Sequence, residues 1–137
     1  MDAFYGTWKV QLDKTTGVQE FGKLFGWTDE KISQFLSMEY TLQVEATADG
    51  TRCIVDYGVV KLEFSFKLGE PFDYTGVDGL KAKCTPTLDG GKLLETFQTD
   101  AGIAWKTVRE VSGSTMTAIT SLVGNDNVKC IQVFQKV

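Results

Sequence analysis

Histidine is absent from the chain. That one absence removes histidine-dependent acid–base catalysis, nucleophiles activated by histidine, and histidine metal sites. A basic surplus is missing too: 14 Lys and Arg stand against 18 Asp and Glu, for a formal net charge of −4. Such a surface offers no basic face to phosphates, which excludes nucleic acid as the main partner. It also speaks against a structural role in stacking membranes, which favours a basic surface. No apolar run approaches the roughly 18 residues that suggest a membrane span. Paired cysteine spacing is lacking: Cys53, Cys84 and Cys130 are three, an odd number, and far apart. They predict free, buried thiols in a reducing compartment, with the cytoplasm as the expected location. The start Met1-Asp2-Ala3-Phe4 has no basic-then-apolar run, so no leader peptide is expected. No Asn-x-Ser/Thr sequon, phosphate-cradling glycine loop or dinucleotide fingerprint occurs. No enzyme activity, metal or cofactor is expected.

What the chain does have is alternation. One domain is expected over residues 1–137, a length sufficient for a core or an enclosed cavity. Trp8, Val10 and Leu12 alternate with Lys9 and Gln11, predicting a first strand over about 6–13. The period then changes. Val18, Phe21, Leu24 and Phe25 recur at helical spacing, with Thr16 as N-cap and Gly26 as stop. Thr28-Asp29-Glu30-Lys31 opens a second short helix with Ile32, Phe35 and Leu36 as its apolar stripe. The pair spans about 16–37. From Glu39 onward the period is two almost to the end, broken by Asp49-Gly50, Gly69 with Pro71, Asp78-Gly79, Asp89-Gly90-Gly91, Asp100-Ala101-Gly102, Ser112-Gly113-Ser114 and Gly124-Asn125-Asp126. About ten short strands with turns every 8 to 14 residues form an antiparallel meander. Such a meander exposes two edges unless it closes, so an all-β, up-and-down barrel is expected, with the helix pair free to cover one open end. A barrel of this size encloses more volume than side chains fill, which leaves room for water and a small ligand.

The segment Trp105-Lys106-Thr107-Val108-Arg109-Glu110 poses the sharpest question. Period two puts Trp105, Thr107 and Arg109 on one face, and Lys106, Val108 and Glu110 on the other. With Lys106 and Glu110 in water, Arg109 points inward, where a lone cation is costly unless something anionic or water-rich meets it. An interior ligand is one such group. Glu95 is the other: parity places it with Leu93 and Phe97 on an inward face, so an internal Arg109–Glu95 ion pair stands as the alternative. That pairing tilts selectivity toward a hydroxyl or aldehyde head.

Phe4-Tyr5-Gly6-Thr7-Trp8-Lys9 resembles the opening of the intracellular lipid-binding proteins, the fatty-acid-binding family. Phe64-Ser65-Phe66-Lys67-Leu68-Gly69-Glu70-Pro71-Phe72-Asp73 and Thr107-Val108-Arg109-Glu110 resemble the family as well, in order and along the whole length. The Arg109-Glu110-Val111-Ser112-Gly113 stretch looks most like the intestinal type. The resemblance implies a ten-stranded β-clam that carries one long-chain fatty acid or similar hydrophobic ligand, with no nucleic-acid partner and a monomeric state. Contact with membrane would be at most transient, through the helix lid bearing Lys23 and Lys31.

The family's carboxylate binders typically use an arginine on the eighth strand and Arg-x-Tyr on the tenth. Arg109 matches the first. The second motif reads Gln132-Val133-Phe134, which resembles the retinol-binding branch. The resemblance thus implies Arg109 as anchor of a carboxylate and Gln132 as second contact, each able to hydrogen-bond a polar head. Thr107, Trp105, Phe66, Tyr74 and Phe134 are expected along the ligand channel, with Glu95 and Tyr57 beside them. The expected portal consists of Val59, Phe35 and Val77. A carrier of a retinoid or pigment is the alternative within the same class.

Overall fold

The computed structural model describes residues 1–76 and 79–137. Alternating residues form ten antiparallel strands: β1 (Gly6–Val10), β2 (Thr41–Ala46), β3 (Thr51–Asp56), β4 (Lys61–Phe66), β5 (Phe72–Thr75), β6 (Lys81–Asp89), β7 (Lys92–Gln98), β8 (Ala104–Ser112), β9 (Thr115–Leu122) and β10 (Asn125–Lys136). Two helices, α1 (Val18–Phe25) and α2 (Asp29–Ser37), lie between β1 and β2. The expected barrel with a helix pair is therefore what the chain forms. Among the described residues, no helix is long and apolar enough to cross a membrane. Val77 and Asp78 lie outside the described residues, and with them the expected portal position at Val77 and half of the Asp78-Gly79 turn.

One sheet runs in the order β4-β3-β2-β1-β10-β9-β8-β7-β6-β5. The chain's two ends meet in it, with β1 pairing β10 through Trp8↔Lys136 and Val10↔Phe134. Closure by hydrogen bonds is not complete. Strands β4 and β5 end the order, and no ladder joins them among the described residues. Side chains bridge that gap instead: Phe72 stacks on Phe64 at 5.6 Å and on Phe66 at 5.6 Å. The chain leaves β4 through Gly69, Glu70 and Pro71, and the proline supplies no amide donor. The Gly69 amide donates to the Pro86 carbonyl at 2.6 Å, which tucks the connection against β6.

Two boundaries differ from expectation. The first strand stops at Val10, because residues Leu12–Lys14 tighten into a 3-10 turn as the chain leaves for the helices. The first helix is capped by Gly17, not Thr16. Thr16 is occupied elsewhere: its backbone exchanges hydrogen bonds with Ile131 of β10 at 3.0 and 2.9 Å. Gly17 adopts φ +76, and a Cβ there would meet the Lys129 carbonyl oxygen at 1.8 Å. Only glycine fits this close approach. Thr28 caps α2 as expected, its hydroxyl accepting from the Lys31 amide at 3.2 Å.

Apolar side chains collect in three places. Trp8, Phe134 and Met116 are almost fully buried and plug one end with Phe4, Val10 and Leu42. The Trp8 indole donates to the Phe4 carbonyl at 3.0 Å, so the buried N–H is satisfied. Val18, Phe21 and Ile32 seat the helices on Cys130 of β10. Phe97 and Trp105 stack at 4.9 Å beside Cys84 and Ala82.

Candidate functional site

Between the two ends lies a cavity of about 520 Å³. Aromatic side chains make up much of its wall, among them Tyr57, Phe64, Phe66, Phe72, Tyr74, Phe97 and Trp105. Phe25, Trp27 and Phe35 line it from the helices, and Thr28, Glu30, Lys31 and Gln34 add polar groups from α2 and its cap. Tyr57, Phe66, Tyr74, Trp105, Thr107, Arg109, Gln132, Glu95 and Phe35 all border the cavity. Val59 does not; it is 98% exposed at the turn between β3 and β4. Phe134 is fully buried in the end plug and sits behind the cavity surface, with its ring 5.8 Å from the Arg109 guanidinium carbon.

Strand register assembles the polar groups. Arg109 of β8 and Gln132 of β10 both pair with Ala118 of β9, so one row carries an arginine, a methyl and an amide. Alanine leaves the space between the two long side chains open. The next row aligns Glu95 of β7 with Thr107 of β8, and Thr107 with Thr120 of β9. Neighbouring strands stand about 4.8 Å apart, so these residues share a patch on the order of 10 to 15 Å across.

Within that patch Arg109 is already engaged. Its Nε donates to Glu95 Oε1 at 2.6 Å, and each side chain is 18% exposed. The ion pair weighed from parity is therefore the arrangement the fold adopts. Burial alone would pull the guanidinium down, yet Glu95 beside it, with Tyr40 and Cys53, holds it above the usual arginine value. The second guanidinium nitrogen, Nη1, is buried and has no hydrogen-bond partner. A buried donor without a partner is costly, so the guanidinium gains from any acceptor that reaches it.

Two polar partners were not singled out as site residues from the sequence. Tyr40, just before β2, accepts a hydrogen bond from the Gln132 amide at 3.1 Å. Burial drives its phenol far above the ordinary value, with Arg109 pulling the other way. Its ring packs on Tyr57 at 5.1 Å and on Phe134 at 5.8 Å. Thr120 shares a hydrogen bond with Thr107 at 2.8 Å. Period two sets Tyr40 on one face with Leu42 and Val44, but a tyrosine there reads as wall until its hydroxyl is seen beside Gln132.

The thiols of Cys53, Cys84 and Cys130 also border the cavity and are free. Burial pushes Cys53 up to about 12 and Cys130 up to about 11, and raises Cys84 as well. They behave as small apolar wall groups rather than nucleophiles.

No family model matches the chain. Known proteins do. The intestinal fatty acid-binding protein of Bos taurus is 30% identical over 137 residues, covering 98% of each chain. The crystal structure of fatty-acid-binding protein 1 of Echinococcus granulosus superposes with a TM-score of 0.88 at 24% identity, covering 100% of this chain and 99% of that one. The fluorescent protein UnaG superposes with a TM-score of 0.84 at 23% identity, covering 99% of this chain and 98% of that one.

Proposed function

The chain belongs to the fatty-acid-binding protein family, and we propose that it carries one long-chain lipid, with the chain along the aromatic wall and the polar head at Arg109, Gln132 and Tyr40. Family membership makes it a binding and transport protein and not an enzyme. The observation that carries the proposal is the pairing of a mostly apolar cavity inside the barrel with a patch where register gathers polar groups. Fatty acids are the ligand class that the relatives' names give. The unpartnered Arg109 Nη1 supports a head that offers an oxygen acceptor. Most of the affinity comes from the chain, at roughly 0.8 kcal/mol per buried CH₂ before ordering costs. Three free, buried thiols support a reducing compartment, and we place the protein in the cytoplasm as a monomer.

Two measurements test this. Native mass spectrometry of protein purified without delipidation should show one lipid per chain. Titration of delipidated protein with oleate should saturate at one equivalent, and Arg109→Gln should weaken oleate more than oleyl alcohol. Absence of saturable binding by either ligand sinks the carrier proposal; loss for neither sinks the role of Arg109. Gln132 favours a second reading, a retinoid or pigment, which would betray itself by an absorbance band at longer wavelength than tryptophan's.

A further inference from the structure

We infer that Glu95 makes the head site electrically neutral, so that it selects a lipid with an uncharged head, such as a primary alcohol, and admits a carboxyl head only together with a proton. This inference rests on the proposed placement of a lipid head at Arg109 and concerns what that head must be.

The argument is one of charge. The 2.6 Å contact joins one cation to one anion inside the wall, where both are only 18% exposed. An empty cationic site would attract a carboxylate. This one has its carboxylate built in. A second carboxylate on Nη1 would stand beside Glu95 with a single guanidinium between them. Two like charges held that close in a poorly solvated site do not both persist; one takes up a proton. The proton then bridges the pair or sits on either oxygen, and the total charge of the patch stays at zero.

Among the described residues, no further cation is shown beside the pair; Lys31, which lines the cavity from α2, lies over the Trp27 ring. The titratable side chains turned toward the pair from neighbouring strands are phenols and thiols: Tyr40, Cys53 and Cys84, with Tyr57 and Tyr74 next to Tyr40. Such groups are uncharged near neutrality, and burial moves Tyr40, Cys53 and Cys84 further that way. Helix α2 brings one acid and one base to the lining, Glu30 and Lys31, whose formal charges cancel. Among the described residues that line the cavity, Arg109 is the one arginine, and Glu95 is its ion-pair partner.

A neutral head fits what remains. The Arg109 guanidinium, whose Nη1 has no partner, has a proton to give to an alcohol, aldehyde or amide oxygen that reaches it. The Tyr40 hydroxyl, which accepts from Gln132, has its own proton to give. These donors need no charge on the ligand.

The experiment compares dodecanoate with dodecan-1-ol on delipidated protein and on Glu95→Gln, by calorimetry in two buffers of different ionisation enthalpy. The wild-type protein should take up close to one proton per dodecanoate. Its affinity for dodecanoate should rise about tenfold for each pH unit lowered through neutrality, the slope of one linked proton. Binding of the alcohol should not vary with pH. Glu95→Gln keeps an oxygen for Arg109 Nε but removes the negative charge. It should bind dodecanoate at least about tenfold tighter near neutrality, without proton uptake, and leave the alcohol within a few-fold. Dodecanoate binding to wild type with no proton uptake overturns the inference, and this measurement does not depend on the variant folding. An unchanged preference in folded Glu95→Gln overturns it too. If folded wild-type protein binds neither ligand, the carrier proposal itself falls, and the charge rule falls with it.

Discussion

Replacing Arg109 by leucine tests the central contact most directly. The side chain lies within the cavity wall, and its Nε holds Glu95 Oε1 at 2.6 Å. Leucine keeps an apolar side chain in the wall near Phe134 but leaves the Glu95 carboxylate without its partner. Removing one member of a buried ion pair costs about 3–5 kcal/mol, mostly because the survivor remains poorly solvated. Here both groups retain some contact with the cavity, so the lower end, about 3 kcal/mol, is the expected loss. For a chain of this length that corresponds to a fall in Tm of about 10 °C. Urea unfolding of delipidated protein reads the loss. Glu95→Leu should cost a similar amount by stranding the cation. The double variant should recover most of the stability and lie within about 1 kcal/mol of wild type, since an apolar replacement of both partners is close to neutral. A double variant whose loss equals the two single losses added together would refute the reasoning, because it would mean that the two side chains do not stabilise one another.

Three further outcomes are expected. Gly17→Ala should cost more than about 1 kcal/mol and should speed hydrogen exchange in α1 selectively, because its φ of +76 and its approach to the Lys129 carbonyl both exclude a Cβ; uniform exchange across the barrel would contradict this. Trp8→Ala should lose about 3–5 kcal/mol in chemical denaturation, as it empties the plug at the barrel's end, whereas a loss under about 1 kcal/mol would show that this end is not a stabilising core. Alkaline pH should destabilise the fold through the thiols. An unfolded cysteine ionises near about 8.5, while Cys53 and Cys130 stay protonated to about 12 and about 11 in the folded chain. The unfolded state then binds fewer protons, so stability falls as the pH climbs from about 8.5 through the folded values, by up to about 1.4 kcal/mol per pH unit for each thiol. Unfolding midpoints of wild type and of the triple cysteine-to-alanine variant, measured across this range, should diverge; parallel curves would exclude the thiols as the cause.

Much of the architecture follows from local pattern. Period two is a property of the chain itself, and it assigns Trp105, Thr107 and Arg109 to one face wherever the strand finally sits. The capping of α2 by Thr28 is equally local, spanning three residues. Where local pattern failed, a distant segment intervened. Thr16 has the chemistry of an N-cap, but Ile131 takes its backbone and leaves the cap to Gly17. The need to cover a meander's two edges predicted a closed ring; that an aromatic seam of Phe64, Phe66 and Phe72 stands in place of a β4–β5 ladder is visible only in the folded chain.

The site divides in the same way. The absence of histidine, the acidic balance and the unpaired cysteines set the expectations, without any structure, against histidine chemistry, a nucleic-acid partner and a disulfide framework. The alternation around Arg109 and Glu95 determined that both point inward. Which of two partners Arg109 takes was beyond that information, because parity fixes a face but not a distance. The register of β7 on β8 decided it by setting Glu95 opposite Thr107, one step from Arg109. Tyr40 and Gln132 are 92 positions apart in the chain, and only the closure of β1 onto β10 brings the hydroxyl to the amide. Hydrogen bonds and ion pairs act over about 3 Å, so their pairing is a property of the folded barrel and not of the order of its residues.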